Sequence, residues 1–167
     1  MAKIQFTDNS VKVKEALEDA VLNYLDEAAG ELLKKTKSNT RQGAKYKGKE
    51  ATSLWKYVVD EGEKVATIGS PDEAAYWEEL GTGEYALNKD GRKGWWVYVE
   101  GNDTPRANQK KYTKEEALQT AAFLRSKGLD AHATNGIKPN RPLHRAFTSM
   151  KGALIRRAEE VLGARMK

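Results

Sequence analysis

Two blocks of residues with opposite backbone constraints limit what this chain can fold into. The first is Ala75-Tyr76-Trp77-Glu78-Glu79-Leu80-Gly81-Thr82-Gly83. It reads as a short amphipathic helix that stops where Gly81 can adopt a left-handed conformation. The second is Lys138-Pro139-Asn140-Arg141-Pro142-Leu143-His144-Arg145-Ala146-Phe147. Here two prolines fix φ and restrict the residues before them, so the angle at which a helix begins is set by the chain itself. Neither block places a nucleophile beside a base or gathers metal ligands. They read as parts of an assembly module, with no catalytic residues.

Helical periodicity extends from both ends of the chain. Val13, Leu17, Ala20, Val21, Tyr24, Ala28 and Leu32 fall on or near one face of a helix over about 10–35. Asn9 or Ser10 is placed to cap it, and Lys34 and Lys35 suit its C-terminal end. Leu143, Ala146, Phe147, Met150, Leu154, Ala158, Val161 and Leu162 mark a final helix that starts near Pro142 and stops near Gly163. A third helix opens on the capping box Thr113-Lys114-Glu115-Glu116 and stops at Lys127-Gly128. Ser70-Pro71-Asp72-Glu73 reads as another box, with Ser70 as cap and Pro71 in the first helical position.

Between the helices lie strand signals. Leu54–Asp60 and Lys64–Gly69, joined by Glu61-Gly62-Glu63, read as an antiparallel hairpin. Trp95–Glu100 reads as a third strand after a turn at 88–94, with Trp95 and Trp96 on opposite faces. The expected fold class is α+β: a small antiparallel sheet packed against long N-terminal and C-terminal helices. The 167 residues suit one domain, with a mobile basic loop at about 36–52 and an expanded region at about 84–137.

Composition removes several functions. With no cysteine, there are no disulfides, thiolate metal sites or cysteine nucleophiles. His132 and His144 stand apart from each other and from any metal-ligand spacing, so no metal centre and no cofactor are expected. No phosphate-binding glycine loop is present, and the adjacent Glu78 and Glu79 are unlike a catalytic carboxylate pair. An enzyme is therefore the least favoured reading. No apolar run approaches a membrane span, so a soluble protein used inside a cell or particle is expected.

Charge is unevenly placed within a formal net of +5. Acidic residues dominate up to Leu33. From there to Lys49 every charged residue is basic: Lys34, Lys35, Lys37, Arg41, Lys45, Lys47 and Lys49. These seven are candidates for contact with DNA or an acidic partner. No DNA-reading motif accompanies them, and Tyr46 is the segment's single aromatic. A nonspecific nucleic-acid-binding module is the alternative reading.

Taken in order, the features resemble the HK97 gp10-like phage proteins, which are tail-completion or head–tail joining proteins of long-tailed bacteriophages and prophages. The resemblance covers most of the chain. It rests on the long first helix, the basic loop, the hairpin with its Ile68-Gly69-Ser70 junction, Tyr76-Trp77-Glu78-Glu79-Leu80-Gly81-Thr82-Gly83, and the proline-bounded start of the last helix. The family pattern carries Pro-Phe-Leu where this chain has Arg141-Pro142-Leu143, so the usual aromatic is absent. The stretch 84–137 makes this an expanded member.

The resemblance implies a ring in the virion neck or tail, around the DNA passage, assembled in the host cytoplasm. Related neck and terminator proteins commonly form hexamers. The implied partners are further copies of the chain, portal-side head-completion proteins, and tail-tube or tail-terminator proteins, with nonspecific DNA contact in the channel and no membrane. The residues implied to set fold or neck contacts are Tyr76, Trp77, Glu79, Leu80, Gly81, Thr82, Pro139, Arg141, Pro142, Leu143 and Phe147.

Overall fold

The fold is described from a computed structural model over residues 9–46, 49–101 and 110–165, excluding the side chains of residues 45, 46 and 165. The first element, α1, spans Ser10–Asn39. It runs four residues past the expected end, into the segment read as loop. Two threonines explain the extension. Thr36 Oγ1 donates to Leu32 O at 2.8 Å and Thr40 Oγ1 to Thr36 O at 2.9 Å, so both hydroxyls are satisfied by the helix and both residues are buried. Asn9 occupies the cap position without a side-chain cap bond.

The last element, α4 (Pro142–Arg165), lies antiparallel along α1. Asn39 Nδ2 donates to Pro142 O at 3.2 Å, and Tyr24 OH to Leu154 O at 2.6 Å. Arg157 reaches both Glu27 (2.6 Å) and Glu31 (2.8 Å). Small buried residues on both helices, Ala20, Ala29 and Ala146, suit close packing of the two backbones.

The described strands form three short two-stranded ladders. β1 (Lys45–Tyr46) pairs with β2 (Lys49–Glu50). β3 (Lys56–Asp60) pairs antiparallel with β4 (Val65–Gly69), with Tyr57 opposite Ile68 and Val59 opposite Ala66. Those four, with Gly69, are the less exposed residues of the two strands. This settles which face turns inward: it lies on α1, where Tyr57 OH bonds Asp26 Oδ1 at 2.9 Å.

Next come α2 (Glu73–Leu80) and β5 (Trp96–Val99), followed by α3 (Lys114–Ser126) and β6 (Ala131–Thr134). β5 pairs antiparallel with β6, and α3 packs across them over buried Ala117, Ala121 and Ala131. Trp95 sits just before β5 and bridges Tyr112. The capping box at Thr113 and Glu116 forms as expected. The Thr113 N–H bonded to Glu116 holds that carboxyl below its ordinary range.

The expected single small sheet packed against both long helices is therefore wrong. The β3–β4 ladder packs on α1, the β5–β6 ladder packs on α3, and the long helices pack on each other. Alternation identifies a strand but not its partner. Trp95–Glu100 takes its partner from residues returning out of α3, at a segment too short and mixed to stand out in the sequence. The start of α2 also differs. Asp72, not Ser70, is its cap, accepting from Ala74 N at 3.1 Å, while Ser70 Oγ accepts from Asp72 N in the turn before it. Lys49, 2.6 Å from Asp72, helps fix that carboxylate in place. Among the described residues, no helix is long and apolar enough to cross a membrane.

Candidate functional site

The two sequence blocks meet at one junction. It lies where α1 ends, α2 ends and α4 begins, beside the core formed by Leu54, Trp55, Ala74 and Ala75 with Leu33, Trp77 and Leu143 packed against it. Helical spacing in α2 turns Ala74, Ala75 and Glu78 inward. Glu78 is fully buried, which is tolerable for a carboxylate only if its oxygens are well satisfied.

Three donors meet that need. Asn140 Nδ2 approaches Glu78 Oε1 at 2.7 Å, Arg41 N donates to the same oxygen at 3.2 Å, and Arg41 Nη1 donates to Oε2 at 3.1 Å. The backbone joins in: the N–H groups of Asn140 and Arg141 both donate to Glu78 O. Arg41 also donates through Nη2 to Lys138 O. One carboxylate thus ties the chain just after α1 to the end of α2 and the segment before α4.

Glu79, its neighbour, faces the start of α4. Pro142 has no N–H, and the next two helical donors, Leu143 N and His144 N, bond Glu79 Oε2 and Oε1 at 2.9 and 3.0 Å. A side chain from another helix therefore does the work of an N-cap, with its charge at the positive end of the helix dipole. Arg141 enters this helix at φ 55. The left-handed conformation costs roughly 1–2 kcal/mol. It is held by the bonds of the Asn140 and Arg141 N–H groups to Glu78 O.

Beyond α2 the chain runs beside the second block. Thr82 N donates to Ile137 O at 2.9 Å, Ile137 N returns to Thr82 Oγ1 at 3.0 Å, and Glu84 N donates to Asn135 O at 2.9 Å. Gly81 makes this approach possible. At φ 74, a Cβ there would sit 2.7 Å from Ile137 O and 2.8 Å from Pro139 Cδ.

The junction sorts the residues singled out by sequence. Glu79, Gly81, Thr82, Pro139, Arg141, Pro142 and Leu143 come together, and Trp77 is partly buried against the adjoining core. The Leu80 carbonyl accepts from Leu87 N. Tyr76 and Phe147 face outward, 47% and 48% exposed. Of the basic candidates, Arg41 is bound to Glu78 and Lys49 to Asp72, while Lys34 and Lys35 are exposed and Lys37 is half-buried. Lys47 and the side chain of Lys45 lie outside the described residues.

Sequence reasoning missed Glu78 and Asn140 as the centre of the joint. The available signal was Asn140 itself, an amide held between Pro139 and Arg141-Pro142 where little backbone freedom remains. Apart from Arg141 Nε and Trp55 Nε1, which are buried without a hydrogen-bond partner, the donors and acceptors at the joint are largely spent on one another, so the arrangement is suited to bracing three elements. Comparison of the chain with protein-family models, curated proteins and solved structures finds no match.

Proposed function

We infer that this chain is a structural assembly protein of the neck or tail of a long-tailed bacteriophage or prophage, joining or completing the tail as part of a ring around the DNA passage. The observation that carries this reading is the junction itself. The two blocks that carry the family resemblance, 75–83 and 138–147, are locked to each other by Glu78, Glu79 and Gly81.

The surface supports the same reading. On α4, Phe147, Ile155 and Leu162 are each 39–49% exposed, and their helical spacing keeps them within one broad stripe. Such a stripe on a rigid helix pair suits packing against a neighbour. A ring needs two different faces that complement each other and close. Arg157 already holds Glu27 and Glu31 within the chain, so the other acidic residues of α1 and the other cations of α4 are the opposite charges left to offer such a pair.

Native mass spectrometry of the full chain, alone and mixed with portal-side head-completion and tail-tube proteins, tests the proposal. A defined oligomer, or a defined complex with those proteins, is expected. A persistent monomer that associates with none of them would overturn it.

A further inference from the structure

We propose that Glu100, Asp130 and His132 form a binding site for a first-row divalent transition-metal ion of the Zn2+ or Co2+ kind. Glu100 is separated in sequence from Asp130 and His132 by the whole of α3, so spacing along the chain shows no metal motif. The β5–β6 ladder brings them together. Val99 lies opposite Ala131 and Tyr98 opposite His132, and Glu100 N donates to Asp130 O at 2.8 Å just beyond the last pair. Asp130 and His132, two apart, point to the same side.

The candidate ligand atoms of all three residues lie within 4.8 Å of one another. His132 Nε2 and Asp130 Oδ1 are 2.8 Å apart. A metal with bonds of about 2.1 Å holds neighbouring ligand atoms about 3.0–3.4 Å apart, so a small adjustment reaches coordination distance. The imidazole is also oriented. Tyr98 stacks on it with ring centroids 5.2 Å apart, which limits the search for a productive ring angle.

Charge points the same way. The chain is basic, yet among the described residues the carboxylates of Glu100 and Asp130 have no lysine or arginine partner in hydrogen-bond or ion-pair contact. Two carboxylates and one imidazole suit a borderline metal better than Mg2+ or Ca2+, which favour all-oxygen shells. The side chains of Asp130 and His132 are 64% and 42% exposed, leaving room for water in the remaining positions. A bound ion would tie the end of β5 to the start of β6 and so clamp the ladder on which α3 rests.

The test is calorimetric titration of the metal-free full chain with ZnCl2 and with CoCl2, with the visible absorption of Co2+ followed in parallel. One equivalent is expected, with a Co2+ band that shows nitrogen and oxygen ligation. His132→Asn and Glu100→Gln should each weaken binding at least tenfold while the far-ultraviolet circular dichroism is unchanged, and His144→Asn should bind as the parent does. No binding up to about 1 mM metal would overturn the proposal. So would undiminished binding in both ligand variants, or loss of binding on His144→Asn.

Discussion

Replacing Glu78 by alanine should strip the junction of its centre, and the size of the loss follows from the groups left behind. Asn140 Nδ2 loses its 2.7 Å partner, and the Arg41 N–H and Nη1 lose theirs. A buried donor left without an acceptor costs about 1–3 kcal/mol. The Arg41 side chain is 33% exposed and recovers part of its loss from water, while the half-buried Asn140 amide keeps its 2.8 Å bond to Asn39 O but loses the second. The sum is about 3–4 kcal/mol, in line with breaking a buried charged pair from one side. Against a total stability of roughly 5–15 kcal/mol, that is a large fraction. Urea unfolding followed by tryptophan fluorescence measures it, since Trp55 and Trp77 belong to the adjoining core. Glu78→Gln keeps an acceptor for Asn140 but turns an amide toward Arg41, so it should lose less than alanine does. A loss below about 0.5 kcal/mol for Glu78→Ala would refute the reasoning, because surface substitutions commonly fall in that range.

Other perturbations isolate the remaining parts. Glu79→Ala should cost about 1–2 kcal/mol in the same assay and speed hydrogen exchange in the first turn of α4, since it removes that helix's only observed side-chain cap among the described residues. Gly81→Ala should cost at least about 2 kcal/mol, from the positive φ and the clash with Ile137 O; an unchanged midpoint would place the strand of chain at 135–139 elsewhere. The bond between Glu116 and the Thr113 N–H makes a pH prediction. Because the folded state holds this carboxyl low, its contribution is present above the ordinary glutamate pKa of about 4.3 and is lost as pH falls through the lower folded value. The stability gap between the parent and Glu116→Gln should therefore narrow on acidification from neutral pH, and a gap independent of pH would contradict it. Phe147→Asp should leave the unfolding midpoint within about 0.5 kcal/mol but reduce oligomer in native mass spectrometry, since the ring is exposed on α4.

Local signals in the sequence translated well where a short-range interaction decides the outcome. The capping box at Thr113, the stop at Lys127-Gly128, the β3–β4 hairpin and the helix start at Pro142 all depend on neighbours within a few residues. The errors arise where a distant residue competes. Thr36 looks like the first polar residue of a loop until its hydroxyl is given the Leu32 carbonyl. Ser70 looks like a cap until Asp72, held near Lys49, takes the position. The partner of Trp95–Glu100 was legible only once α3 returned the chain to β6.

The candidate site shows the same division. Gly81 and the two prolines announced a stop and a start, which the helices bear out. That the stop and the start are the same place depends on Glu78 and Glu79 reaching residues more than sixty positions away, and nothing in local spacing reports that. The basic run from Lys34 to Lys49 illustrates the converse. Its charges are evident in sequence, but Arg41 serves an internal carboxylate instead of standing free on the surface.

Electron microscopy of the purified full chain, alone and bound to tail-tube protein, tests the central claim most directly. The account predicts rotationally symmetric rings with an open lumen at least about 20 Å across, wide enough for duplex DNA, with the α4 stripe at the contact between subunits. Monomers under both conditions, or two-fold dimers that bury the stripe and leave no channel, would contradict it.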